Sequence, residues 1–192
     1  MRELRIHGRG GQGSVIASKL LAVALFREGE WVQSFPAFGV ERRGAPVTAF
    51  LRLDDDPIRL RCEITEPDDL IVLDSTLIDA IDVTAGLKRG GTILVNTEKA
   101  PEEYPKLLEH FRVATIDASG IAIRHGLGTK SQPIVNTAIV GAFAAEFGLI
   151  GLEAVKAAID DEVPAKREAN YEAAVEAFGS VRSAAPADVS HD

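Results

Sequence analysis

Four glycines set between a short apolar strand and a helical repeat constrain this chain more than any other stretch. Leu4-Arg5-Ile6-His7 runs directly into Gly8-Arg9-Gly10-Gly11-Gln12-Gly13, after which Val15, Ile16, Leu20, Leu21 and Leu25 recur at helical spacing. The pattern predicts a strand, a tight turn and a helix over about residues 14 to 28, with Ser14 as its capping residue and Gly29 after its end. Glycine lets the backbone turn sharply off a strand and approach a ligand, and the first amides of the following helix face outward with the positive end of its dipole. Such a turn is receptive to an anion.

The remaining pattern predicts one α/β domain over residues 1–180, Rossmann-like and three-layered, with a mostly parallel central sheet, an antiparallel hairpin region and C-terminal helices. Trp31 to Phe38, interrupted by Pro36, and Val47 to Leu53 read as antiparallel strands, with Ile58 to Leu60 as a further hairpin partner beyond the Asp54-Asp55-Asp56-Pro57 turn. Leu70-Ile71-Val72-Leu73-Asp74 and Thr92-Ile93-Leu94-Val95-Asn96 are continuous apolar runs, the signature of strands buried on both faces. Arg112 to Asp117 adds another strand, and helices are predicted over 134–147, 152–159 and 166–178. Residues 181–192 are small and polar and read as a flexible tail.

Composition narrows the function. A formal charge of -8 and a pI near 5.1 leave no surplus of cations for phosphate backbones, so no nucleic-acid partner is expected. Nor is a membrane partner, because every apolar stretch is interrupted well short of a bilayer's width. The N-terminal residues show no signal-peptide pattern, and the expected location is cytoplasmic. Cys62 is the only cysteine, too few to hold an iron-sulfur cluster, and the four histidines show no metal-ligand spacing. No metal site is expected, and no nucleophile with a neighbouring base or pair of acids marks a catalytic residue.

The turn matches the dinucleotide spacing G-x-G-x-x-G, yet Gln33-Ser34-Phe35-Pro36 stands where an acid should meet a ribose. Arg9 and Gln12 put polar bulk into the turn, suited to a substrate or a neighbouring subunit. A second basic feature, Glu41-Arg42-Arg43-Gly44-Ala45-Pro46, places adjacent guanidinium groups in a loop, where surface ion pairing is the plain alternative to a ligand contact. Asn136-Thr137 is a helix cap or a ligand contact, and Asp74-Ser75-Thr76 ends a central strand where such sheets place ligand-facing groups. His7 reads as a structural residue beside the turn, and Cys62 as an ordinary, at least half-buried thiol.

Taken together, the glycine turn, Ser34-Phe35-Pro36 with Phe38-Gly39, and Glu41-Arg42-Arg43-Gly44-Ala45-Pro46-Val47 closely resemble the gamma subunit, or gamma domain, of pyruvate:ferredoxin oxidoreductase and its relatives. The likeness continues through Val72-Leu73-Asp74, Gly90-Gly91 and Pro133-Ile134-Val135-Asn136-Thr137, covering about residues 4 to 178. It implies a subunit that binds no cofactor alone, within an assembly whose alpha, beta and delta type chains hold thiamine diphosphate with magnesium and iron-sulfur clusters. The implied reaction is oxidative decarboxylation of a 2-oxoacid with coenzyme A, giving an acyl-CoA, with ferredoxin or NAD as electron acceptor. Pyruvate, 2-oxoisovalerate, 2-oxoglutarate and aromatic acids such as phenylglyoxylate are all served by related complexes, so the likeness names a class of substrate. It places Gly10, Gly11, Gln12 and Gly13 on the coenzyme A side, with Arg42 and Arg43 at its phosphates or a subunit interface, and Asn136 nearby. Two alternatives remain at this point: a stand-alone nucleotide- or NAD-binding enzyme, and a purely structural assembly subunit.

Overall fold

Apolar runs without alternation need burial on both faces, and here they supply the middle of a seven-stranded sheet. In the computed structural model, which describes residues 1–37 and 44–186, β1 (Arg2–Arg9) leads through the glycine turn into α1 (Ser14–Arg27). The chain continues through β2 (Trp31–Pro36), β3 (Pro46–Asp54), β4 (Asp69–Val72), α2 (Leu77–Ala80), β5 (Thr92–Asn96), α3 (Pro105–Leu108), β6 (Arg112–Ile116) and α4 (Ala118–Arg124). A small hairpin, β7 (Gly128–Thr129) and β8 (Gln132–Pro133), precedes α5 (Asn136–Phe147), α6 (Leu152–Glu162), α7 (Arg167–Phe178) and β9 (Arg182–Ala184).

The strand order is β2-β3-β1-β4-β5-β6-β9. β1, β4, β5 and β6 run parallel, while β2 and β3 form the expected antiparallel hairpin beside β1. Leu70, Val72, Ile93 and Val95 face α2 and α3, whereas Ile71, Leu73 and Leu94 face the layer built from α1 and α4 to α7. That division explains the unbroken apolar runs: alternate residues fill two different cores. The architecture is the three-layer α/β fold that the pattern implied.

Two local expectations are corrected. Ile58 to Leu60 forms no strand: the Leu60 carbonyl instead accepts from the Gln33 side chain at 2.9 Å, and the Cys62 carbonyl from the Arg52 guanidinium at 2.8 Å. This segment therefore satisfies two buried or half-buried side chains, a task for free carbonyls rather than laddered ones. Residues 182–184 are not a loose tail, since β9 pairs antiparallel with β6 and Arg182 donates to the carbonyls of Glu98 and Lys99 at 2.7 and 2.8 Å. Backbone pairing and one guanidinium anchor a segment that has little apolar surface to bury.

Candidate functional site

The chain passes from β1 through α1 to β2 and β3 on one side, then crosses to β4, β5 and β6 on the other. The crevice outside the carboxyl ends of β1 and β4 is therefore the topological switch point, the place where open α/β sheets take ligands. An open cleft of about 1140 Å3 lies there. One wall is the turn from Arg9 to Gly13. Asp74 and Ser75 after β4, Asn96 ending β5 and Ser119 at the start of α4 line the cleft beside it, and the β7–β8 hairpin and Asn136 complete its lining.

Within the turn, Gly11 and Gly13 take the left-handed backbone conformation, with φ of 93° and 82°. A Cβ at Gly11 would meet nothing within 4 Å, so the backbone there stands open to the cleft. At Gly13 it would come 3.5 Å from the Asn136 Nδ2. Gly10 donates to the Ala45 carbonyl at 2.9 Å and accepts from the Gly44 amide at 3.1 Å, which clamps the entry of β3 to the turn. The amides of Gly11 and Gly13 have no acceptor among the described residues. Gly13, not Ser14, is the residue before α1, and no side chain caps that helix. Its first amides are therefore left for another partner.

Arg9 and Gln12 line the cleft and are both held by Asp74. Asp74 Oδ2 accepts from Arg9 Nε at 3.1 Å and from Gln12 Nε2 at 2.8 Å, and Gln12 Oε1 accepts from the Arg9 amide at 2.7 Å. Partial burial raises the Asp74 pKa, but hydrogen bonds from Thr76 and Gln12 and the Arg9 charge outweigh it, leaving the carboxyl below its ordinary value. Asp74 stands out in the sequence at a strand end, but its partnership with Arg9 and Gln12, 65 and 62 residues away, does not.

Asn136 is buried at the mouth of α5. Its Oδ1 accepts from the Thr137 amide at 2.9 Å from inside the first turn, with Val135 in the cap position, so the side chain is no cap. Thr137 turns the other way, donating from Oγ1 to Asn170 Oδ1 at 3.0 Å. Gln33 and Ser34, standing where a dinucleotide fold needs an acid, are spent on Leu60 and Arg52, and on Ser18. Among the described residues no group of three His, Cys, Asp or Glu side chains could hold a metal ion, and no helix is long and apolar enough to cross a membrane.

Residues 3–183 match the family described as pyruvate ferredoxin/flavodoxin oxidoreductase. The chain belongs to that family. Within it, the chain is 55% identical over 181 residues to the pyruvate/ketoisovalerate oxidoreductases common subunit gamma of Thermococcus kodakarensis, covering 93% of this chain and 96% of that one. It is 48% identical to the pyruvate synthase subunit PorC of Methanocaldococcus jannaschii, with 94% and 97% covered. The crystal structure of pyruvate oxidoreductase subunit PORC from Thermotoga maritima superposes with a TM-score of 0.81 at 33% identity, over 95% of this chain and 98% of that one. The protein is thus a gamma subunit, one part of a multisubunit 2-oxoacid oxidoreductase.

Of the residues assigned to the gamma subunit's ligand side, the fold brings Gly10, Gly11, Gln12, Gly13 and Asn136 to one cleft. Arg42 and Arg43 lie outside the described residues, in the segment that Gly44 joins to the turn. Cys62 is exposed rather than half-buried, because its loop runs over the surface past Arg52.

His7 is only 6% exposed, and both ring nitrogens lack a hydrogen-bond partner among the described residues. Burial, and then the charge of Arg5, push its pKa down to about 4. The folded gamma subunit therefore binds fewer protons than the unfolded chain between pH 4 and 6.5. Stability on this account is complete above about pH 6.5 and falls by about 3 kcal/mol as the pH drops to about 4. Denaturant unfolding at both pH values should show this loss in the wild type and a clearly smaller one in His7→Leu. Equal losses in the two would show that His7 is not the cause.

Proposed function

We propose that this chain is the gamma subunit of a cytoplasmic, coenzyme A-dependent 2-oxoacid:ferredoxin oxidoreductase, and that its cleft receives the phosphate-bearing part of coenzyme A. The observation carrying this reading is the open backbone at Gly11, beside amides of Gly11, Gly13 and the start of α1 that have no acceptor among the described residues. Phosphate oxygens suit such amides, which the helix dipole reinforces. Arg42 and Arg43, which precede Gly44 in the sequence, would add guanidinium groups able to grip a phosphate in pairs. Asn136 adds a carboxamide beside Gly13.

The redox chemistry belongs to the alpha, beta and delta type partners. Bound there with magnesium, thiamine diphosphate supplies the carbanion chemistry of decarboxylation, and iron-sulfur clusters carry the electrons on to ferredoxin. This chain binds and orients the thiol-bearing acceptor so that the acyl group leaves as a thioester.

Gly11→Val in the intact complex tests the reading, because at a φ of 93° a β-branched residue strains the turn that presents the amides and its side chain would occupy the open side. The KM for coenzyme A should rise about tenfold or more, with assembly and kcat nearly kept, as befits lost binding alone. Unchanged coenzyme A kinetics in a complete assembly would overturn the reading, and failed assembly would favour a structural role for the turn.

A further inference from the structure

Glycines carry no side chains by which to hold their own conformation, and ordering them is entropically costly. The turn's two non-glycine residues and their partners must therefore fix the direction in which its amides point. Asp74 is placed to do so from just beyond the end of β4. Its Oδ2 holds both non-glycine residues of the turn, Arg9 at 3.1 Å and Gln12 at 2.8 Å. Its Oδ1 accepts from the Thr76 amide and hydroxyl at 3.0 and 2.6 Å. Arg9 extends the same network to the Thr76 hydroxyl at 2.9 Å and to the Gly44 carbonyl at 3.2 Å, just where the Arg42-Arg43 segment rejoins the described fold.

We propose that Asp74 is a positioning residue for the thiol-bearing acceptor: it latches Arg9 and Gln12 so that the glycine amides face the cleft, and keeps the Arg9 guanidinium on the Asp74–Thr76 side instead of in the anion site. The inference rests on the proposed role of the cleft. An ionised carboxylate serves both ends of the latch, as acceptor for two donors and as counter-charge for Arg9. Hydrogen bonding to the charged form and the guanidinium beside it keep Asp74 ionised.

Asp74→Asn discriminates, since its single oxygen can keep the Thr76 contacts while its NH2 group confronts the Arg9 and Gln12 donors. In the assembled complex the KM for coenzyme A should rise about tenfold with kcat within about twofold, the cost of losing charge-assisted contacts. The same substitution in a background lacking both donors, Arg9→Ala with Gln12→Ala, should have little further effect, because Asp74 then has neither residue of the turn to hold, and Asp74→Glu should restore most of the lost affinity. A purely structural Asp74 would instead give additive losses of thermal stability with KM unmoved, and that result overturns the inference. If Gly11→Val raises the KM while Asp74→Asn does not, only the latch fails. If neither does, the role of the cleft itself is wrong.

Discussion

Substituting leucine for Gly141 should cost the domain more than about 4 kcal/mol and remove most of its soluble yield, a loss comparable to the whole stability of an ordinary domain. Gly141 lies in the middle of α5, where a Cβ would stand 2.0 Å from the Ala174 carbonyl oxygen and 2.7 Å from the Ala174 Cα. The obstacle is backbone, which cannot swing aside as a side chain can. Ala138 and Ala142 on α5, with Ala173 and Ala177 on α7, are all fully buried, so the two helices meet along small residues with nothing left to trim. Admitting a leucine means moving α7 off α5 and opening the larger of the two cores. Gly141→Ala gives the graded version. Alanine favours a helix by about 1 kcal/mol over glycine, but the clash should outweigh that and lower the melting temperature by several degrees. A Gly141→Ala protein that melts at or above the wild-type temperature would show that the helices separate easily.

Gly141 also marks where the sequence ceases to be legible. Nothing local distinguishes it from a helix-weakening glycine, because its reason lies 33 positions away at Ala174. The same division runs through the fold. The strand, glycine turn and helix at residues 2–27, and the apolar runs of β4 and β5, could be read directly because their periodicity reports burial by neighbours in the sheet. β9 could not, since Arg182–Ala184 has no hydrophobic signal and is fixed by pairing with Val113–Thr115. The segment after Pro57 has strand-like residues, but its carbonyls were already claimed by Gln33 and Arg52. At the site, the glycines were legible as a turn receptive to anions. The use of Arg9 and Gln12 was not, because a guanidinium's partner depends on which carboxylate the topology brings beside it, and parallel pairing of β1 with β4 brings Asp74.

Arg52 poses the same problem in the core and yields the other large expected effect. In the alternating sequence of β3 it reads as a solvent-facing position, yet it is 1% exposed. Its Nε donates to Glu3 Oε1 at 2.6 Å, and its terminal nitrogens donate to Gln33 Oε1 at 3.0 Å and the Cys62 carbonyl at 2.8 Å. The guanidinium also lies 5.3 Å from the centre of the Phe35 ring, which packs on Phe50. Three segments distant in sequence thus converge on one cation, and removing it strands an acceptor in each. Arg52→Ala should therefore lose about 3–5 kcal/mol, most of it the cost of leaving Glu3 and the other acceptors without their donor. Arg52→Met combined with Glu3→Gln removes both charges while keeping apolar volume, and should recover much of the stability that Arg52→Ala loses. Denaturant unfolding of the two variants decides the matter. An Arg52→Ala chain within about 1 kcal/mol of the wild type would mean that the ion pair is as weak as a surface one, and that the loop after Pro57 is held by something other than this guanidinium.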